Sequence, residues 1–282
     1  MAPSNKPLIL VTTDFTEISD YAIEHAAVMA KGVNGSLLIL HVIDKYTKRL
    51  LKKAGKPLSH VDEKLQLIAD GIQESHGIEV NTISRQGDLF HQIADTANQN
   101  GALLHFLGTR GKRGVQWLIG SFALKVVKRS PVPVVVIQKP LGNINYRRFI
   151  YPLDIDTGSK QKVKWAKTMH DAIGAHFDIF VDNYGDDYTN RKLRADLNQV
   201  TGILAQHNVS FTATFANTKG SFAAQLLAFA QEKNADAIMI SSDPDKMTWN
   251  PFNMEDKVLY NKEKIPVMFI NAKNLNLVIG GR

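Results

Sequence analysis

One feature constrains this chain more than any other: it contains the same strand–helix pattern twice. An apolar run at residues 10–13, closed by Asp14, returns at 149–153, closed by Asp154. At the same offset Ser159 falls on Ser19, Ala166 on Ala26, and residues 177–182 on 37–42. Further on, 220–234 resembles 87–101, 237–241 resembles 104–108, and Pro266-Val267 echoes Pro133-Val134. Within the first copy, short apolar runs at 8–13, 36–43, 78–84, 103–107 and 132–138 read as strands. Between them, helical spacing covers 16–31, 57–76, 88–100 and 121–129, with Asp88 as an N-cap and Gly77 as a stop. Strands that alternate with helices form a parallel sheet covered on both faces. The expected fold is therefore α/β, with two tandem doubly wound parallel-sheet domains at 1–140 and 147–273. The linker is 139–148, and the tail after 274 reads as frayed.

Composition agrees. The chain has 282 residues, 44% hydrophobic and 22% charged, enough for two ordinary cores. There is no cysteine, which excludes disulfides, thiolate metal sites and cysteine nucleophiles. The N-terminal segment lacks the layout of a signal peptide, and no apolar run reaches the ~18 residues of a membrane span. A cytoplasmic protein without a membrane partner is expected.

The densest functional signal is Gly108-Thr109-Arg110-Gly111-Lys112-Arg113-Gly114, followed by Gly120-Ser121. It lies between a strand and a helix. Glycines there let backbone N–H groups approach a phosphate, and the helix N-terminus adds free donors and partial positive charge. In doubly wound sheets ligands bind beyond the carboxyl ends of the strands, and Asp14, Val42 and Gly108 all stand at such ends. The same glycines also fit plain turns, and Asp14 also fits a helix cap. His41 reads as a satisfied core histidine, and His91, His170 and His176 lack metal-ligand spacing. Asp154 with Asp156 reads as a turn, and Asp186-Asp187 as a loop. No nucleophile–base–acid set, GxSxG elbow or GxxxxGK[ST] loop is present in the sequence.

Net charge is +7, much of it in Lys45, Lys48, Arg49, Lys52, Lys53 and Lys56. That run reads as a solvated loop after a strand. A nucleic-acid surface brings stacking aromatics, and only Tyr46 is near in sequence, so nucleic acid is not an expected partner.

Residues 11–17 (Val-Thr-Thr-Asp-Phe-Thr-Glu), Leu40-His41-Val42-Ile43, Gly87-Asp88, Gly108-Thr109-Arg110-Gly111 with Gly120-Ser121, and 130–136 together resemble the universal stress protein family. The resemblance covers the first half and, more faintly, the second, as in a tandem member. It implies an adenine-nucleotide alpha-hydrolase-like fold, with the two domains packed as an internal pseudo-dimer through their last strands. It implies a stress-response regulatory protein that binds ATP or AMP, with Mg, and acts on an unidentified protein partner; self-association is left open. The site residues carried over are Thr12, Asp14, Val42, Gly108, Arg110, Gly111, Gly120 and Ser121, with Asp14 and Val42 at the adenosine end. Family members that bind ATP have nine residues before the last glycine; here eight, 112–119, separate Gly111 from Gly120. In the second half Asp243-Pro244-Asp245 replaces the glycines, adding negative charge and removing a donor. That half is expected not to bind ATP. No efficient catalysis is expected. A nucleotide-free interaction protein and a slow ATP hydrolase are the competing readings.

Overall fold

The computed structural model describes residues 6–109, 119–155, 158, 162–242 and 254–271, with 119–121 described by backbone. The chain divides into two compact units, Met1–Asn143 and Ile144–Arg282.

The first unit runs β1 (Leu8–Thr12), α1 (Glu17–Gly32), β2 (Ser36–Ile43), α2 (Lys45–Lys53), α3 (Ser59–His76), β3 (Glu79–Gln86), α4 (Leu89–Gln99), β4 (Ala102–Gly108), α5 (Ile119–Arg129) and β5 (Val134–Ile137). Its strands lie in the order β3-β2-β1-β4-β5. Every pairing among them is parallel. All eight residues of β2 are buried, which is why it reads as an unbroken apolar run. Ala22, Ala26, Ala27 and Ala30 let α1 pack closely on the sheet. Each Ile, Leu or Val enclosed here contributes about 1.5–3 kcal/mol by leaving water. Asp88 caps α4 by accepting the His91 N–H at 3.0 Å. Gly77 ends α3 at φ +66°, a left-handed conformation glycine adopts without strain.

The second unit runs β6 (Arg148–Leu153), α6 (Val163–Ile173), β7 (His176–Val181), α7 (Asp187–Gln206), β8 (Ser210–Phe215), α8 (Phe222–Glu232), β9 (Ala237–Ser242), α9 (Met254–Leu259) and β10 (Val267–Asn271). The order is β8-β7-β6-β9-β10, again with parallel pairs. The duplication extends to single bonds. Thr109 Oγ1 donates to the Ile137 carbonyl at 3.4 Å, and Ser242 Oγ donates to the Ile270 carbonyl at 3.4 Å. The entry to β6 is pinned by Asp236, whose carboxylate accepts the N–H groups of Arg147 at 2.7 Å and Arg148 at 3.0 Å.

Several expectations are corrected. The basic run after β2 is a helix over Lys45–Lys53, not a loop, because Asp44 Oδ1 accepts the Thr47 N–H at 2.8 Å and nucleates the first turn. Asp186-Asp187 likewise opens α7, with Asp186 Oδ1 accepting the Thr189 N–H at 2.8 Å. Helix α5 begins at Ile119, two residues before the expected start. Strand β5 begins after Pro133, which lacks the N–H a ladder needs. Among the described residues no helix is long and apolar enough to cross a membrane.

Candidate functional site

In the first unit the chain leaves β1 toward β2 on one side, and β4 lies on the other. The carboxyl ends of β1 and β4 therefore flank the point where strand order reverses, the usual crevice of such sheets. Register sets Thr12 beside Leu40 of β2 and beside Leu107 of β4, with Gly108 one residue further on. Thr12, Asp14, Val42 and Gly108 thus share one edge. Arg110 and Gly111 lie outside the described residues, as does Trp117. Gly120 and Ser121 are the second and third residues of α5. Their N–H groups fall among the first four of the helix, which have no intrahelical acceptor.

The β1–α1 turn is tied by side-chain hydrogen bonds. Asp14 is exposed, and its Oδ1 accepts the Thr16 N–H at 3.1 Å and the Thr16 hydroxyl at 2.5 Å. Ser19 Oγ donates to the Thr16 carbonyl at 2.7 Å and accepts the Thr16 N–H at 3.1 Å. With its proton so used, Ser19 accepts from Thr13 Oγ1 at 3.0 Å, and Thr13 Oγ1 accepts the Phe15 N–H at 3.0 Å. This network holds Phe15 at φ +60°, a costly conformation for a bulky side chain. The Phe15 ring stacks on His41 with centroids 4.5 Å apart, and Lys64 Nζ stands 5.2 Å from its centroid. His41 is buried; its Nδ1 donates to the Thr13 carbonyl at 2.8 Å, and its Nε2 meets Thr47 Oγ1 at 3.2 Å. Burial lowers its pKa, so it is the neutral imidazole that ties β1, β2 and α2 together. The sequence reading of His41 as a core residue is right. The run Thr-Thr-Asp-Phe-Thr carries no sign of which residue bears the positive φ.

Three expected site residues have structural work of their own. Thr12 is 8% exposed, and its hydroxyl meets His105 Nε2 at 3.1 Å inside the sheet. A Cβ on Gly108 would stand 2.7 Å from the Ile18 carbonyl oxygen and 2.9 Å from its carbon. Gly108 is therefore required by the close approach of β4 to α1, whatever binds beyond it. Val42 is buried at the end of β2, and its carbonyl accepts the Asp44 N–H at 2.9 Å.

The corresponding end of the second sheet differs. Lys162 is 1% exposed, donates from Nζ to the Pro152 carbonyl at 2.5 Å, and lies 4.6 Å from the Tyr151 ring centroid. It lines a cavity of about 30 Å³ with Pro152, Asp154, Ile240, Ser241 and Glu255, room for one water rather than a nucleotide. Asp182 ends β7 nearby; burial raises its pKa, and so does the charge of Asp154. Asp243, Pro244 and Asp245 lie outside the described residues, as does Asp156. At the opposite end of this sheet Ser210 Oγ meets His176 Nδ1 at 2.7 Å, and His176 Nε2 is 3.4 Å from Asp178 Oδ1. Asp178 Oδ1 also accepts the Thr212 hydroxyl at 2.7 Å. Register pairs His176 with Ser210 and Asp178 with Thr212, so these residues form a cross-strand polar ladder on β7 and β8. Among the described residues no group of three or more histidine, aspartate or glutamate side chains is placed to hold a metal.

Comparison with known proteins gives a consistent result. Residues 8–138 match the model of the universal stress protein family. A universal stress protein of Methanocaldococcus jannaschii is 27% identical over 146 residues, 47% of this chain and 82% of that one. One of Bacillus subtilis is 26% identical over 152 residues, 46% of this chain and 97% of that one. The crystal structure of a universal stress protein from Archaeoglobus fulgidus has the same fold, with a TM-score of 0.76 at 20% identity over 95% of this chain and all of that one.

Proposed function

We propose, starting from the membership of residues 8–138 in the universal stress protein family, that this chain is a stress-response regulator. Its first domain binds ATP or AMP and its second does not. The observation that supports this reading is the strand order, which sets the carboxyl end of β1, with the exposed Asp14 just after it, beside that of β4, from which the chain runs on to α5 with Gly120 and Ser121 near its start. The first turn offers free N–H donors and the positive end of the helix to phosphates. Asp14 suits the ribose hydroxyls, which a carboxylate accepts well. In the second domain Lys162 fills the equivalent end of the sheet, and Asp154, Asp182 and Glu255 disfavour phosphate there.

The nucleotide acts by preferring one conformation, which then favours a protein partner. Turnover is not part of this function: the charges of Arg110, Lys112 and Arg113 would hold the ground state as well as the transition state, and so would not accelerate the chemistry. The competing reading, an interaction protein without nucleotide, draws on Gly108, whose contact with Ile18 explains that glycine without any ligand.

For the same reason Gly108→Asp is a poor probe of binding, since it disrupts α1 packing first. Ser121→Asp is the better one. An acid in the first turn favours the helix and repels a phosphate. Calorimetry with ATP and magnesium should show one site per chain in the wild type and none in Ser121→Asp. Equal binding by both proteins refutes the site, and no binding by the wild type favours the interaction protein.

A further inference from the structure

Helices α4 and α5 of the first unit fill the groove between them with their own side chains. The Phe90 ring of α4 meets the Phe122 ring of α5 with centroids 5.5 Å apart. Arg129 lies over Phe90 at 5.2 Å from its centroid, and Lys125 at 6.0 Å. The same Arg129 guanidinium stands 4.0 Å from Asp88, the carboxylate that caps α4. A carboxylate at the cap and a ring two residues further on therefore share one cation.

The second unit repeats the frame without these groups. Helices α4 and α8 both have eleven residues, and each follows a positive-φ glycine, Gly87 or Gly220. A Cβ on either glycine would face a glutamine side chain, Gln92 or Gln225. That equivalence sets Ser221 on Asp88 and Ala223 on Phe90. Lys257-Val258-Leu259 repeats Lys125-Val126-Val127, which sets Asn261 on Arg129. Ser221 makes no side-chain cap bond, whereas Asp88 accepts the His91 N–H. The Asn261 amide is spent on its own turn, donating to the Val258 and Ile265 carbonyls at 2.9 Å each. Carboxylate, ring and guanidinium are thus all replaced, and a cavity of about 570 Å³ lies between α8 and α9. That is the size of a small-molecule site.

The walls keep the groups that would hold what the first unit supplies for itself. Ala223 and Leu227 give an apolar floor, and Lys257 retains the cation that Lys125 brings to the ring. Lys257 and Lys262 are exposed, and among the described residues neither takes part in an ion pair. Against them stands Asp256, 1% exposed. Burial and the charge of Asp256 push the Tyr260 pKa up to about 12, so its hydroxyl keeps its proton at neutral pH and can donate it. Asp88 and Phe90 are two positions apart, a span that one small molecule covers. We propose that the groove between α8 and α9 binds a small aromatic carboxylate, its ring against Ala223 and Lys257 and its carboxylate at the start of α8. The site lies wholly in the second unit and does not rest on nucleotide binding in the first.

The test is a titration of the labelled full chain with 3-phenylpropionate, followed by amide NMR shifts. Amides of α8 and α9 should shift together and saturate with a Kd of about 0.1–1 mM. Propionate, which lacks the ring, and 3-phenyl-1-propanol, which lacks the charge, should each bind roughly tenfold more weakly or worse. Ala223→Phe restores the ring from within the chain and should weaken the probe by roughly tenfold or more. Ser221→Asp, at an exposed cap position, restores the carboxylate and should do the same, so the outcome does not depend on how Ala223→Phe folds. Saturating ATP should leave the probe's Kd unchanged. The proposal is overturned if no amide of α8 or α9 shifts by about 10 mM probe, if either control compound binds as tightly, if Ser221→Asp binds as the wild type does, or if ATP competes. Probe binding in a protein that fails to bind ATP would remove the nucleotide reading and leave this one standing.

Discussion

Acid should unfold the first domain well before its carboxylates titrate, because burial lowers the pKa of His25, His41 and His105 there, of His25 and His105 by a large margin. His105 lies in the middle of β4 at 0% exposure; Nε2 meets Thr12, and Nδ1 has no partner. Burial pushes its pKa down to about 3. His25, on α1, is lowered to about 4, again chiefly by burial, although its Nε2 meets the Lys139 carbonyl at 3.2 Å. In the unfolded chain both return to about 6.5. Below that pH the unfolded state binds protons that the folded state refuses. Stability is therefore complete above pH 6.5 and falls as pH drops toward the folded values. At pH 5 each histidine has lost about 1.5 pH units of linkage, about 2 kcal/mol, and the pair about 4 kcal/mol. That is a large part of the 5–15 kcal/mol that holds a domain together. Carboxylates contribute little in this window because they titrate near pH 4 when unfolded. Hydrogen exchange of peptides covering β1 and β4, corrected for intrinsic rate, reads the effect within the full chain. Protection should fall about a thousandfold between pH 7.5 and pH 5. In His105→Leu, which removes one of the two strongly shifted groups, it should fall about thirtyfold. Equal losses in both proteins, or no loss in the wild type, refute the assignment of the acid sensitivity to these side chains.

Other consequences follow from individual contacts. Gly108→Ala should destabilise the first domain by about 1–3 kcal/mol, because its Cβ meets the Ile18 carbonyl at 2.7 Å; an unchanged urea midpoint would show that α1 yields freely. Asp88→Ala should cost about 1 kcal/mol by removing the α4 cap, checked by the same titration. Phosphate release in excess ATP and magnesium should stay near background, and steady turnover lost in an Arg110→Ala, Lys112→Ala double variant would make the protein an enzyme.

The sequence by itself determined the fold class and the duplication, because both are written in local periodicity: apolar runs of strand length, helical spacing between them, and a second copy in the same order. Single residues with one strong local preference were also legible, such as Asp88 as a cap and Gly77 as a stop. The tertiary structure decided what depends on neighbours distant in the chain. Gly108 reads as a phosphate-loop glycine until Ile18 is seen against it. Thr12 reads as a site residue until its hydroxyl is found on His105, 93 positions away. The basic run reads as a loop because repulsion disfavours helix locally, and the Asp44 cap together with the Thr47–His41 bond outweighs that repulsion. Phe15 reaches its ring partner only when β1 and β2 lie side by side. Local preference fixes the elements, whereas the identity of each residue's partner is set by register and close packing, which a linear pattern does not carry.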